Sequence, residues 1–156
     1  MAYLDIITLA DAKTYLRIDD TLTEDDAQIT RMIKASLSQI ERATNYILFA
    51  RAKSYVVEDL SVNVYDFPIN SLTSPTTATS VEKSIYTTYT TIVSTDLKVT
   101  LNVGFATPSD VPSDLIEVAF EMIDLMYYSP ETGKSVKSDL SELSKMVLSN
   151  YKRFFI

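Results

Sequence analysis

The sequence has 156 residues, and its 14 basic and 21 acidic side chains give a net charge of −7. It contains no cysteine and no histidine, which excludes a thiolate nucleophile, an imidazole base and a zinc site built from these residues. Its two glycines, Gly104 and Gly133, are too few for a glycine-rich phosphate-binding loop.

The length predicts a single domain over residues 1–156, and a hydrophobic fraction of 46% is enough to form a core. Basic residues are dispersed and form no basic segment, which argues against binding of nucleic acid through its phosphates. No apolar run approaches about 18 residues, so the sequence predicts no membrane-spanning helix. The N-terminus also lacks the basic and apolar segments of a signal peptide.

The first third of the chain is predicted to be helical. Thr8, followed three residues later by Asp11, forms a capping pattern for a helix at about 8–17. Thr23 precedes three acidic residues that suit the positive end of a second helix. Apolar residues at steps of three and four extend this second helix over about 24–48.

The middle of the chain, at about 52–106, is predicted to be an antiparallel β region. Apolar and polar residues alternate at 60–64 and at 97–105, the pattern of half-buried strands. A turn-rich stretch follows the first of these strands at 68–75, and the Thr/Ser/Tyr-dense segment 76–95 predicts two further short strands. Exposed edges of such strands would pair within the chain or between subunits.

The last third is again predicted to be helical. Pro112 opens a helix at about 113–128, Gly133 lies in a turn, and a final helix runs over about 135–152. The predicted fold class is therefore α+β, mainly a bundle of about four helices with the β region inserted at about 52–106.

The helix at 113–128 is apolar on most of its faces and carries one narrow acidic stripe: Glu117, Glu121 and Asp124. Such a helix is either a central core helix with one solvated edge or a helix covered by neighbouring subunits. Glu117 and Glu121 also have the spacing of a carboxylate pair for hydrolysis, although no tryptophan platform accompanies them.

Two other segments have alternative interpretations. The acidic loop at 19–26 suits either a calcium ion or simple helix capping, and it lacks the glycine and the twelfth-position Glu of an EF-hand. The chain ends in an apolar tip that either folds onto its own core or anchors in a partner. This tail consists of Tyr151, Lys152, Arg153, Phe154, Phe155 and Ile156.

Three motifs in order along the chain resemble the head–tail connector (adaptor, or head-completion) proteins of tailed bacteriophages. The first is ITLADAKTYLRID at Ile7–Asp19, and the second combines DDAQI at Asp25–Ile29 with ERATNY at Glu41–Tyr46. The third combines VGF at Val103–Phe105 with VPSDL at Val111–Leu115 and the helix that follows. The Thr/Tyr-rich β region and the helix after Gly133 depart from the family pattern.

The resemblance implies a virion structural protein without enzymatic activity, cofactor or membrane association. Such proteins form a ring, typically dodecameric, beneath the portal protein and dock the next neck or tail completion protein. DNA passes through the ring without sequence-specific binding. The implied location is the virion neck, with the host cytoplasm as the site of assembly.

Within this resemblance, we expect Glu117, Glu121 and Asp124 to face the channel or its rim, because twelve copies at −7 would carry roughly −84 charges and repel DNA. We expect the tail from Tyr151 to Ile156 to dock on the portal and the β region to contact neighbouring subunits or the next ring. Two other classes remain open: a small acidic protein-binding adaptor of cellular origin and a carboxylate-dependent hydrolase.

Overall fold

A computed structural model describes residues 2–74, 79–81, 90–128 and 140–152. Within this part of the chain, five α-helices and six antiparallel strands confirm the predicted α+β fold. The chain divides into two compact units. A helical unit combines Met1–Thr44 with Pro108–Lys152, and a β unit includes the intervening Asn45–Thr107.

The helical unit contains all five of these α-helices. None of them has both the length and the apolar character that crossing a membrane requires. A 3₁₀ turn at Pro108–Asp110 precedes the fourth helix. The helices are α1 (Tyr3–Ile6), α2 (Leu9–Leu16), α3 (Asp26–Thr44), α4 (Ser113–Tyr128) and α5 (Glu142–Tyr151).

The start of α2 follows the capping pattern seen in the sequence. The Thr8 hydroxyl accepts a hydrogen bond from the Asp11 amide at 3.1 Å, and the Asp11 carboxylate accepts one from the Thr8 amide at 3.1 Å. Two amides at the helix start that lack helical partners are thereby satisfied. The helix ends at Leu16 because Arg17 adopts the left-handed conformation.

The prediction that the second helix extends to residue 48 is wrong. The helix α3 ends at Thr44, and Asn45 has a positive φ of 62°. The chain then enters the β unit, where the Ile47 amide donates to the Phe67 carbonyl at 2.7 Å. Asn tolerates the left-handed region better than most residues, which explains why the helix stops there although the apolar spacing continues.

The core of the helical unit lies between α3 and α4, with α2 and α5 packed against both. The buried apolar residues of α3 recur at steps of three and four, as do those of α4, so each helix turns one face to its partner. The opposite faces of the two helices therefore point away from each other. The buried residues are Ile29, Ile33, Leu37 and Ile40 on α3 and Leu115, Val118, Ala119, Met122 and Ile123 on α4.

The prediction of a last helix starting at about 135 is also wrong at its start. The helix α5 begins at Glu142, and Ser141 is its N-cap, accepting a hydrogen bond from the Ser144 amide at 3.2 Å. Leu140 and Ser141 are not helical, so no continuous helix passes through them. The predicted positions 135–139 lie outside the described residues.

The β unit contains two three-stranded antiparallel sheets, ordered β1-β6-β3 and β2-β5-β4. In the first sheet, β6 lies in the centre and pairs with β1 from Arg51 opposite Val103 to Val56 opposite Lys98. The strands are β1 (Arg51–Val56), β2 (Ser61–Val64), β3 (Ile69–Ser74), β4 (Thr79–Val81), β5 (Thr90–Val93) and β6 (Lys98–Val103).

The core of the β unit is formed by one face of β6. Val99, Leu101 and Val103 alternate along the strand and are almost completely buried. They pack with Ile47, Val57, Val64 and Ile92. The alternation in the sequence therefore marks the buried face of the central strand.

Gly104 follows β6 at a point where the backbone is crowded. Its φ is +107°, and a Cβ atom at this position would lie 2.3 Å from the Phe49 carbonyl oxygen. Its amide donates to the Pro68 carbonyl at 2.7 Å, and its carbonyl accepts from the Asn70 side chain at 2.5 Å. Both the conformation and the space require glycine here.

Two strands were not predicted. The strand β1 lies in the segment before residue 60, and β3 occupies most of the stretch 68–75 that we predicted as turns, a prediction that is therefore wrong. The short strands β4 and β5 lie within 76–95, whereas residues 75–78 and 82–89 are outside the described part of the chain.

Candidate functional site

The acidic stripe lies on the face of α4 that points away from α3. Glu117 is exposed, and Glu121 and Asp124 are half-buried. Among the described residues, neither Glu117 nor Asp124 has an ion-pair partner. Within the described ranges, these two side chains therefore contribute unpaired negative charge, although the exposed Arg17 lines the same cavity as Asp124.

Glu121 differs from the other two because its carboxylate holds the start of α5. It accepts hydrogen bonds from the Ser141 amide at 2.5 Å, from the Ser141 hydroxyl at 2.9 Å and from the Ser144 hydroxyl. Partial burial favours the neutral acid, but the bonds from Ser144 and Ser141 outweigh burial and lower the pKa of Glu121. Glu121 therefore joins α4 to α5.

The lowered pKa of Glu121 argues against a carboxylate-dependent hydrolase that uses Glu117 and Glu121. A carboxylate pair for hydrolysis needs one carboxyl group that is protonated near neutral pH, which requires a raised pKa. The pKa of Glu121 is lowered instead, and its oxygens are occupied by Ser141 and Ser144. Glu121 is thus unsuited to act as the general acid of such a pair.

An aromatic pair borders the stripe. Tyr15 of α2 stacks on Phe120 of α4, with ring centroids 4.9 Å apart and planes 13° apart. Partial burial and then the charges of Asp124, Glu117 and Glu121 raise the pKa of Tyr15. Tyr15 is 43% exposed, so this face of the helical unit is both acidic and aromatic.

An open cavity of about 630 Å³ adjoins this face. Its walls include Asp124, Tyr15 and the exposed Arg17, and the Tyr128 hydroxyl, also in the wall, donates to the Leu16 carbonyl at 2.8 Å. Tyr128 is 60% exposed, which extends the aromatic surface along α4. A cavity this open suits a protruding side chain of another protein better than an enclosed small molecule.

The exposed face of α3 is basic. Arg31, Lys34 and Arg42 are all exposed and lie within one narrow sector of the helix at 100° per residue. Among the described residues, none of the three takes part in an ion pair. This face was not predicted from the sequence, because each basic residue stands alone along the chain. Their helical spacing was the signal.

The acidic loop at 19–26 is organised by a lysine. Lys13 is 3% exposed, and its ammonium group lies 2.6 Å from an Asp26 carboxylate oxygen. It also donates to the carbonyls of Leu22 at 2.6 Å and Asp20 at 3.3 Å. The positive centre of this loop is therefore a side chain of the protein itself.

Other acidic residues of the loop bind neighbouring side chains. The Tyr127 hydroxyl donates to Asp25 at 2.7 Å, and this bond is the main cause of the raised pKa of Tyr127. Hydrogen bonds from Thr21 lower the pKa of Asp19. In the described ranges, no group of three or more carboxylates is placed to hold a metal ion.

The predicted portal-docking tail is described only at its start. The Tyr151 hydroxyl donates to an Asp114 carboxylate oxygen at 3.1 Å and so ties the end of α5 to the start of α4. Lys152 is exposed, and residues 153–156 lie outside the described part of the chain. On α5 itself, Leu143 is 66% exposed and Met146 is 55% exposed.

The β unit has an apolar surface at one loop region. Leu97 is 81% exposed and Leu60 is 62% exposed. Both line an open cavity of about 330 Å³ together with Asp59 and Asp96. Large aliphatic side chains this exposed are typical of protein contact surfaces.

A comparison with protein-family models gives a match over nearly the whole chain. The family model described as "Phage gp6-like head-tail connector protein" matches residues 6–153. No curated protein matches the sequence significantly.

Three solved structures contain chains of similar fold. A chain of "Virion of native gene transfer agent (GTA) particle" has 16% identity and a TM-score of 0.72, covering 97% of this chain and 91% of that one. A chain of "Neck of empty GTA particle computed with C6 symmetry" has 16% identity and a TM-score of 0.72, covering 100% and 94%. A chain of "Neck of native GTA particle computed with C12 symmetry" has 13% identity and a TM-score of 0.73, also covering 100% and 94%.

Proposed function

Because the chain belongs to the Phage gp6-like head-tail connector family, we propose that its copies form a ring in the neck of a virion, between the head and the tail. The match to residues 6–153 carries this proposal, since it spans both the helical unit and the β unit. The role is structural, and we propose no catalytic reaction.

The ring itself is supported by similar folds in neck structures computed with C6 and C12 symmetry. We propose a ring of twelve copies with its two units acting as one connector domain. Its partners are the portal protein on one side and a tail or neck completion protein on the other.

Removal of the protein tests this function directly. Particles assembled without it should contain heads that fail to join tails, and supply of the protein from a plasmid should restore complete particles. Electron microscopy of the neck then counts the copies. Complete and infectious particles in its absence would overturn the proposal.

For DNA passage, we propose that the acidic charge of the ring prevents adhesion of the phosphate backbone. The position of Glu117, Glu121 and Asp124 on the channel wall or rim stays a prediction. Since Glu121 is engaged by Ser141 and Ser144, Glu117 and Asp124 would carry most of the effect. Neutral variants at all three positions should change the rate of DNA ejection, and an unchanged rate would contradict this placement.

For portal binding, we propose that the tail from Tyr151 to Ile156 contacts the portal through its apolar end. The bond between Tyr151 and Asp114 fixes the point from which this tail starts. Truncation after Lys152 keeps that bond and should abolish portal binding while the helical unit stays folded. Truncation after Asn150 should have the same effect on binding. Full binding by both truncated chains would refute the tail's role.

We propose that the β unit contacts neighbouring copies or the next neck component. The exposed Leu60 and Leu97 support a protein contact at this loop region. Substitution of both by Ser should leave the monomer stable and reduce joining of the next component. Normal joining would exclude this surface.

A further inference from the structure

We propose that the basic face of α3 in one copy binds the acidic face of α4 in the neighbouring copy, and that this contact closes the ring. The basic face consists of Arg31, Lys34 and Arg42, and the acidic face consists of Glu117 and Asp124 with Tyr15 and Phe120 beside them. The inference rests on the proposed ring and specifies how its copies meet.

A ring with cyclic symmetry needs two different surfaces on each copy. Each copy presents one surface to the neighbour on its left and another to the neighbour on its right, so the two must be complementary. Surfaces of opposite charge meet this requirement and also exclude the pairing of two identical surfaces. Among the described residues, the helical unit supplies one such pair of surfaces.

The two faces lie on different sides of the helical unit. At 100° per residue, the exposed residues of α3 and of α4 lie opposite the buried faces by which the two helices pack together, and Arg42 also borders a groove lined by Met122 of α4 and Leu148 of α5. One copy can therefore use its basic face toward one neighbour and its acidic face toward the other. The two faces cannot neutralise each other within one copy.

The lengths of the two faces fit each other. At 1.5 Å per residue, Glu117 and Asp124 are separated by about 10 Å along α4, and Arg31 and Arg42 by about 16 Å along α3. Long arginine and lysine side chains cover the difference in spacing. Two ion pairs can therefore form together when the helices of neighbouring copies meet.

The aromatic pair adds a contact that a purely acidic surface would lack. The exposed ring of Tyr15 lies beside the carboxylates, whose charges add to partial burial in raising the pKa of Tyr15. A guanidinium group that pairs with Asp124 or Glu117 can also stack on this ring. This combination favours Arg31 or Arg42 over a hydrated metal ion as the occupant.

The proposed contact places Glu117 and Asp124 between neighbouring copies, so it is an alternative to their position on the channel wall. It also competes with DNA for the basic face, since Arg31, Lys34 and Arg42 could bind phosphates. An experiment that exchanges the charges of the two faces distinguishes these possibilities, because only a contact between copies involves both faces.

The experiment uses particles assembled with three variants. The first carries Arg31→Glu and Lys34→Glu, the second carries Glu117→Lys and Asp124→Lys, and the third carries all four changes. Lys98→Glu and Asp20→Lys, at exposed positions outside both charged faces and outside the cavity lined by Leu60 and Leu97, are the charge-reversal controls, and each changes one residue. The amount of connector per purified particle is measured by mass spectrometry against the major capsid protein.

We expect each of the first two variants to lose about tenfold or more of the connector from particles, because like charges then face each other. In the variant with all four changes, the amount of connector per particle should recover to within about twofold of the wild type. The attraction is restored there because both faces have exchanged their charge. Both control variants should be retained fully.

Three results would overturn the inference. Normal retention of either paired variant would show that its face makes no essential contact. A defect of both pairs without recovery in the four-fold variant would assign the faces to separate partners. A defect of the basic pair alone would assign that face to DNA or another acidic partner. Absence of the wild-type protein from the neck would instead refute the proposed function.

A cysteine pair gives a second test that tolerates poor folding of the charge variants. The chain has no cysteine, so Lys34→Cys combined with Asp124→Cys introduces the only thiols. Oxidation of particles should give a ladder of covalent oligomers larger than dimers, whereas each single variant can give dimers at most. Normal incorporation without such a ladder would contradict the contact.

Discussion

At Gly104 the backbone has a φ of +107° and passes so close to Phe49 that no side chain fits. We predict that Gly104→Ala lowers the free energy of unfolding by about 2 kcal/mol or more, because strain and overlap add. Urea denaturation of the purified chain measures this change. Ser71→Ala, an exposed position on β3, is the control and should change stability by less than about 0.5 kcal/mol. Equal stability of the two variants would contradict the crowding.

Lys13 is a buried lysine that holds the acidic loop at 19–26. Its buried ammonium binds Asp26 and the Leu22 carbonyl. We predict that Lys13→Met lowers the free energy of unfolding by about 2–3 kcal/mol, because a carboxylate and a carbonyl lose their partner. Thermal unfolding followed by circular dichroism provides the measurement. The exposed Lys98→Met should be nearly neutral, and a neutral Lys13→Met would show that the loop does not need its lysine.

At the scale of elements, the carboxylate of Glu121 links α4 to α5. We predict that Glu121→Gln lowers the free energy of unfolding at pH 7 by about 1 kcal/mol, the usual magnitude for a cap at a helix N-terminus. Glu117→Gln, on the same helix face, should have no such effect.

The same bond predicts a pH dependence. Because the pKa of Glu121 is lowered on folding from its ordinary value of 4.5, its contribution is complete above that value and is lost as the pH falls through the folded-state value. The stability difference between wild type and Glu121→Gln should therefore shrink below about pH 4.5. Urea denaturation at pH 7 and at pH 3 measures it, and a difference that is constant with pH would contradict the assignment.

Elements with one buried face could be predicted from the sequence. The helix α4 spans Ser113–Tyr128, as the apolar spacing and Pro112 indicate, and β6 follows the alternation of its buried residues. The edge strands β1 and β3 could not be predicted in this way. Both are largely exposed, so they carry no alternating apolar pattern, and their pairing with β6 forms over a long sequence separation.

The contacts of residues that are distant in the sequence could not be predicted from the sequence either. The burial of Lys13 depends on the loop that folds around it, and the engagement of Glu121 depends on where α5 begins. The acidic stripe itself was predictable from helical spacing. That Glu121 is engaged by Ser141 and Ser144, while Glu117 and Asp124 have no ion-pair partner in the described part of the chain, required the structure.

For the whole molecule, opposite charges on two faces predict an assembly that depends on salt. Raising the ionic strength from 0.1 M to 1 M shortens the screening length from about 10 Å to about 3 Å, which weakens exposed ion pairs. We expect fewer connector copies per portal complex at high salt, measured by native mass spectrometry after dilution into volatile buffer or by sedimentation. Copy numbers independent of salt would indicate that apolar contacts such as Leu97 dominate instead.

The order of the two units along the chain has a consequence for synthesis. The β unit is inserted between α3 and α4, so the ribosome must pass roughly 70 further residues after α3 before the partner of α3 begins. At about 5–20 residues per second, this delay lasts about 3–14 s, during which α3 has no α4 to pack against. The basic residues Arg31, Lys34 and Arg42 are made with α3, whereas Glu117 and Asp124 are made only with α4. A copy can thus offer both faces to its neighbours only after the β unit and α4 have been translated.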